Sequence, residues 1–308
     1  EVLVDMLSSQ VVDGPDARLS FYPVPGGAPA NVAVALAKLG VDSGFAGGIA
    51  NDEFGEYLKM ALVEQGVGVD LLQPAPAGKT ALAFVSLDST GERSFSFYGK
   101  NAAHLEYDAT AFPEERLDNT SIFHFGSNSL TEASIHAATV TLVELARSRG
   151  ALVSFDINYR PGLWASPADA PGVIAELARH CHIIKASREE MLDLYGASAR
   201  DEVERWIRAG VALVVITDGA EDLEYFHADG TAYMSVPSAD VVDTTAAGDA
   251  FTGGLLSRIA ADAPKDIHAW AVDPQGVASA VTFATRCGAH AVTKPGAFSS
   301  LPAMEDLA

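Results

Sequence analysis

The chain has very little sulfur that could cross-link it. Its two cysteines, Cys181 and Cys287, are too few and too far apart for a disulfide framework or a thiolate metal site. They read as buried thiols of a reducing compartment, and a cytoplasmic protein is expected. Basic residues are also scarce: 20 Lys and Arg face 41 Asp and Glu, for a formal net charge of -21. Such a chain repels a phosphate backbone, which argues against nucleic acid or an anionic membrane as a main partner. A single nucleotide needs only local amides and a few cations, so it stays within reach. No apolar run approaches the roughly 18 residues of a membrane helix.

Several common motifs are missing as well. There is no GxGxxG, HExxH or GxSxG, and the eight histidines are scattered, as core or surface residues would be. PAPAGKT ends like a phosphate-binding Walker loop, but Gln73 stands where that loop requires its first glycine, and a strand follows Thr80. The opening EVLVDMLSSQ has no basic n-region and no cleavage pattern, so it is not read as a signal peptide. It also lacks an initiator Met and reads as mid-strand, so the native N-terminus is expected upstream. NTS at Asn119, without a secretory signal, is read as a chance match to a glycosylation acceptor.

What is present is a regular alternation. Strand-like runs (IFHFGS, ALVSFDINYR, CHIIKAS, ALVVITDG) alternate with helical ones (NVAVALAKLG, DEFGEYLKMALVEQG, TEASIHAATVTLVELARSRG, PGVIAELARH, REEMLDLYG, DEVERWIRAG). That order predicts an α/β fold with a mostly parallel sheet and helices on both faces. Two β-rich stretches, about 5–23 and 78–104, break the alternation, and the second has DSTG between alternating runs. They predict a small antiparallel β lid or dimer contact beside the core, with no linker to divide residues 1–308 into separate domains.

In such sheets ligands bind at the carboxyl ends of the strands. Asp156, Asn158 and Arg160 follow one strand, Lys185 and Ser187 another, Thr217 and Gly219 a third. DTTAAGDAFTGG, from Asp243 to Gly254, follows a fourth and leads into a helix. A capped helix start accounts for its Asp and Thr, since their oxygens accept from free amides. The excess of small residues points further, to amides left open for an anion. An acid inside that first turn, Asp249, is placed to take a proton from a nucleophile attacking the anion. PGGAPANVAVALAKLG is a second such element, with Gly26 and Gly27 admitting close approach of a ligand and Asn31 near the helix start.

GGAPANVAVALAKLG, GGIANDEFG and DTTAAGDAFTGGLL together resemble the signatures of the PfkB/ribokinase family of carbohydrate kinases, along essentially the whole chain. Within it, KTALAFVSLDSTGERSFSFY, FHFGSNSL, SFDINYRPGLW and IIKASREEM are most similar to fructokinases, with 2-keto-3-deoxygluconate kinases the nearest rival. The resemblance implies a ribokinase-like fold and transfer of phosphate from ATP to fructose with Mg2+. By the same resemblance Asp249 is the base, and the amides of Ala246, Ala247 and Gly248 form the anion hole. Asp5, Gly27, Asn31 and Arg160 are implied as sugar contacts, and Lys185, Thr217 and Gly219 as nucleotide contacts. Ser187 and Glu190 are implied to organise Mg2+ through water, and Asp243 and Thr245 to offer oxygens to K+. Pairing of the lid with a second copy would make a homodimer, and the sequence leaves that alternative open. Three positions depart from the pattern: Ala246 stands for Gly, Ser187 for Asn, and YGKN at Tyr98–Asn101 lacks an arginine. A non-catalytic sugar- and nucleotide-binding regulator and a nucleoside kinase are the other readings of the same scaffold.

Overall fold

The computed structural model describes residues 1–8, 20–87 and 93–307. Residues 9–19 of the first β-rich stretch and the DSTG turn of the second lie outside the described residues.

The N-terminal part runs β1 (Leu3–Ser8), β2 (Phe21–Gly26), α1 (Ala28–Lys38), β3 (Gly47–Ala50), α2 (Glu53–Glu64), β4 (Leu72–Ala75), β5 (Leu82–Leu87) and β6 (Arg93–Tyr98). The alternating part follows as β7 (Ile122–Gly126), α3 (Ala133–Ser148), β8 (Leu152–Asp156), α4 (Ala170–Ala178), β9 (Ile183–Ser187), α5 (Arg188–Tyr195), α6 (Ala199–Arg208) and β10 (Leu213–Thr217). A hairpin of β11 (Leu223–His227) and β12 (Gly230–Met234) precedes α7 (Ala247–Asp262), α8 (Ile267–Val272) and α9 (Pro274–Ala291).

Strands β7 to β10 lie side by side and parallel, and β11 and β12 extend that sheet antiparallel at one edge. The parallel strands are mostly apolar because both of their faces are covered, with His124, Ser154 and Lys185 as interior exceptions. Successive side chains point to opposite faces. Val214 and Ile216 accordingly join Leu142, Ile174, Met191 and Trp206 of α3 to α6 in one core. Leu213 and Val215 join Phe251, Leu255, Trp270 and Val281 of α7 to α9 in the other. The β11–β12 hairpin turns at Ala228 and Asp229, with Gly230 opposite His227; the Asp229-Gly230 dipeptide is a hairpin signal that the sequence reading passed over.

A second sheet has the order β2-β1-β5-β6. Its outer pairs are antiparallel, and its central pair, β1 with β5, is parallel. Phe21, Phe84 and Tyr98 meet edge-on across it, with ring centroids 5.0 and 5.3 Å apart. β3 and β4 form a separate parallel pair. Among the described residues no helix is long and apolar enough to cross a membrane. Cys181 and Cys287 are both free and buried.

α7 is the helix around which the site is built. Phe251, Leu255, Leu256 and Ile259 are buried along it, each contributing about 1.5–3 kcal/mol by leaving water. Two adjacent glycines let it sit close to its neighbours. A Cβ on Gly253 would come 2.4 Å from the Cβ of Ala35 in α1, and one on Gly254 would come 2.7 Å from the Sγ of Cys287 in α9. The start of α7 is thereby set beside the start of α1, against the ends of β8 and β9.

Candidate active site

α1 begins at Gly27, whose φ of 106° belongs to glycine. A side chain there would also strike the backbone, its Cβ 2.7 Å from the carbonyl oxygen of Glu1. The early Pro29 suits a first helical turn, where an amide has no intrahelical partner anyway. Asn31 then lies on the buried side, and its Nδ2 donates to Oδ2 of Asp249 at 2.7 Å. Its Oδ1 is buried and accepts from no described group.

α7 begins at Ala246, which adopts φ 58° and ψ 10°. A Cβ in this left-handed region costs roughly 1–2 kcal/mol, which a glycine would avoid. The amides of the first turn have no carbonyl four residues back to accept from them. Ala247 N reaches the Thr244 carbonyl only at 3.3 Å. Ala246, which stands where the family pattern has Gly, thus holds a conformation that glycine adopts freely, and the alanine there is strained.

Asp249 sits in this first turn. Burial, then the negative charge of Asp156, push its carboxyl up to about 7, against the opposing pull of the Asn31 bond, Lys185 and Arg160. Lys185 is buried, its Nζ 3.2 and 3.1 Å from the two carboxylate oxygens of Asp156. Burial lowers the Lys185 pKa, but Asp156, Glu190 and Asp249 outweigh that and hold it above the ordinary lysine value. The same Nζ lies 2.8 Å from where a Cβ on Gly248 would be, so the ammonium rests against the helix start. Thr252 closes the group by donating to Asp156 Oδ2 at 3.1 Å. The sequence reading placed Asp156 on this rim and missed Thr252, although a hydroxyl three residues after Asp249 shares its helix face.

Asp5, on β1, belongs to a second acidic group. Burial, then the nearby Asp243, push its carboxyl up to about 7. A Cβ on Gly26 would fall 2.3 Å from Asp5 Oδ2, so only glycine leaves room for that carboxylate. Asp243 is itself a loop clamp: Oδ1 accepts from Thr245 N at 2.7 Å and Oδ2 from Gly296 N at 2.9 Å. It draws the stretch before α7, where the resemblance implies oxygens for K+, onto the stretch after α9.

On the β9 side, Ser187 and Glu190 form a reciprocal cap of α5. Ser187 Oγ accepts from Glu190 N at 3.1 Å, and Glu190 Oε2 accepts from Ser187 N at 2.9 Å. Glu190 Oε1 lies 3.5 Å from Nη1 of the half-exposed Arg160. These are oxygen donors, as a hard divalent cation requires. Each already accepts one backbone amide, which suits them to hold a hydrated Mg2+ through its water shell. Among the described residues no three His, Cys, Asp or Glu side chains converge as a metal cluster. Thr217 ends β10 level with Ser187, and Gly219 follows at φ 59°. Sequence reasoning missed Arg188, which joins Asp218 at 2.6 Å and Glu224 at 2.7 Å beside Gly219.

The description "pfkB family carbohydrate kinase" matches residues 13–304. The chain belongs to this family. The kinase is 37% identical to Fructokinase-1 of Oryza sativa subsp. japonica over 305 residues, 98% of this chain and 93% of that protein. Its fold superposes on the crystal structure of fructokinase with bound ATP from Xylella fastidiosa with a TM-score of 0.92 at 35% identity, covering 100% of this chain and 94% of that one. It is also similar to fructokinase from Vibrio cholerae O395 in its fructose-, ADP- and calcium-bound form, with a TM-score of 0.86 at 30% identity over 100% of this chain and 95% of that one. The ribokinase-like, mostly parallel α/β architecture expected from the sequence is the one the kinase has.

Proposed function

We propose that this kinase phosphorylates the primary hydroxyl of D-fructose from ATP, with Asp249 as the general base. The observation behind this is the position of Asp249: a buried carboxyl in the first turn of α7, oriented by Asn31 and held at about 7. A base poised near neutral pH is deprotonated often enough to act and basic enough to take a hydroxyl proton.

In the reaction the fructose O–H donates to the Asp249 carboxylate as its oxygen attacks the terminal phosphorus. The O–P bond forms, the bond to the ADP oxygen breaks, and the proton stays on Asp249. The amides of Ala246, Ala247 and Gly248, with the positive end of α7, stabilise the charge on the transferring group. Mg2+, held through water at Glu190 and Ser187, supplies further charge neutralisation on the phosphates. Asp5, Gly27, Asn31 and Arg160 hold the sugar; Thr217 and Gly219, with Lys185 behind Gly248, line the nucleotide side. The β2-β1-β5-β6 sheet acts as a lid within one kinase unit, excluding the water that competes for the phosphoryl group.

The ATP- and fructose-bound relatives support this reading over the regulator, as does the presence of Asp249 and its turn. Fructose is favoured over 2-keto-3-deoxygluconate because, among the described residues of the N-terminal half, no cluster of Lys or Arg is set to pair with a carboxylate or phosphate. The test is ADP release with D-fructose, 2-keto-3-deoxygluconate, D-ribose and fructose 1-phosphate. Fructose is expected to have the highest kcat/KM, and a clear preference for 2-keto-3-deoxygluconate would transfer the assignment to that substrate.

A further inference from the structure

Three polar side chains are buried together behind the helix start. Asp156 is 2% exposed, Thr252 2% and Lys185 7%. Lys185 donates to both oxygens of Asp156 at 3.2 and 3.1 Å, and Thr252 donates to one of them at 3.1 Å. Thr252 belongs to α7 itself, so the carboxylate at the end of β8 grips the same helix that presents Asp249. Lys185 Nζ rests against Gly248, and no larger residue at 248 would leave it there. A buried ion pair is weak stabilisation, because desolvating two ions offsets their attraction. Fold stability therefore does not account for one placed under a catalytic turn.

We propose that Asp156 and Lys185 are the positioning pair of the base: Asp156 ties Lys185 to the floor of the turn and α7 to β8, and the pair's two opposite charges set how Asp249 holds its proton. This rests on the reading of Asp249 as base. The groups that face Asp249 are Asn31 from α1, Asp156 from β8, Arg160 from the loop after β8, and Lys185 from β9. Burial and Asp156 favour the protonated acid, while Asn31, Lys185 and Arg160 favour the carboxylate. Neutralising Asp156 removes one repulsion and frees Lys185 to turn its full charge on Asp249, making the base weaker. Neutralising Lys185 does the reverse.

The experiment is the pH profile of kcat/KM for fructose at saturating Mg2+ and ATP, for the parent enzyme, Asp156→Asn and Lys185→Gln. Both substitutions keep a hydrogen bond across the pair, since Asn accepts from Lys185 and Gln donates to Asp156. The acid limb is expected to move down by about one pH unit in Asp156→Asn, with a lower plateau kcat, and up by about one unit in Lys185→Gln. A purely structural role lowers Tm in both variants and leaves the limb in place. A limb that stays put, or moves the same way in both, overturns the proposal; if one variant does not fold, the sign in the other decides. The base reading fails separately: its failure shows as Asp249→Asn retaining activity, whereas failure of the pair leaves Asp249→Asn inactive and the limbs unmoved.

Discussion

Gly253→Ala adds one methyl group to α7 at its closest approach to α1. The new Cβ would be 2.4 Å from the Cβ of Ala35, and ordinary contact begins near 3.4 Å, so α1 must retreat by about 1 Å. Gly253 lies one turn beyond Asp249, and Ala35 one turn beyond Asn31, so the same displacement falls on the Asn31–Asp249 bond. That bond is 2.7 Å now, and adding about 1 Å takes it past the usual limit for a hydrogen bond. Overpacking costs about 1–3 kcal/mol, and losing a hydrogen bond to a charged group about 1.5–3 kcal/mol. Asn31 is also one of the groups holding the Asp249 pKa down, so its loss lets the carboxyl rise further above about 7. A Tm lower by several degrees and an acid limb of kcat/KM displaced to higher pH are expected together. Gly254→Ala is the control: its Cβ meets Cys287 and Ala284 of α9, so it should lower Tm without moving the limb. A Gly253→Ala enzyme with the parent Tm and pH profile would refute the idea that this helix contact sets the Asn31–Asp249 geometry.

Two further outcomes are expected. Ala246→Gly relieves the left-handed strain at the start of α7 and should raise Tm by roughly 2 °C, as about 1 kcal/mol does in a chain of this size; a lower Tm would show that Ala246 is not strained. K+ should raise kcat over a large organic cation at equal ionic strength, since Asp243 gathers the two carbonyl-bearing segments at the helix start, and equal rates in the two salts would remove a cation from the account.

The alternation of β7 to β10 with α3 to α6 was legible because each strand is a short, mostly apolar run and each helix keeps its period. The start of α7 was legible for another reason: an excess of small residues in a strand-to-helix turn, with an acid in the first helical turn, forms a local pattern. The buried pair beneath it was not. Asp156 and Lys185 come from adjacent strands, and their meeting depends on the β8–β9 register, in which Asp156 is opposite Lys185. Arg188 was missed likewise, because its partners Asp218 and Glu224 come from a strand end and a hairpin that no periodicity connects to α5. The parallel seam between β1 and β5 also depends on long-range pairing, where local hairpin signals speak only for the antiparallel pairs on either side.

The most direct test of the account is Asp249→Asn. The substitution keeps the shape and leaves Asn31 an oxygen to donate to, but the side chain can no longer take a proton. With fructose, Mg2+ and ATP at saturation, kcat is expected to fall by at least about 10²-fold, the contribution of a positioned base. Calorimetry should still show both ligands binding. The folded-state pKa of Asp249 is raised, so its charge destabilises the fold as pH rises from about 4 to about 7; the variant should match the parent Tm near pH 4 and exceed it at pH 8. A folded Asp249→Asn enzyme with near-normal kcat would contradict the mechanism.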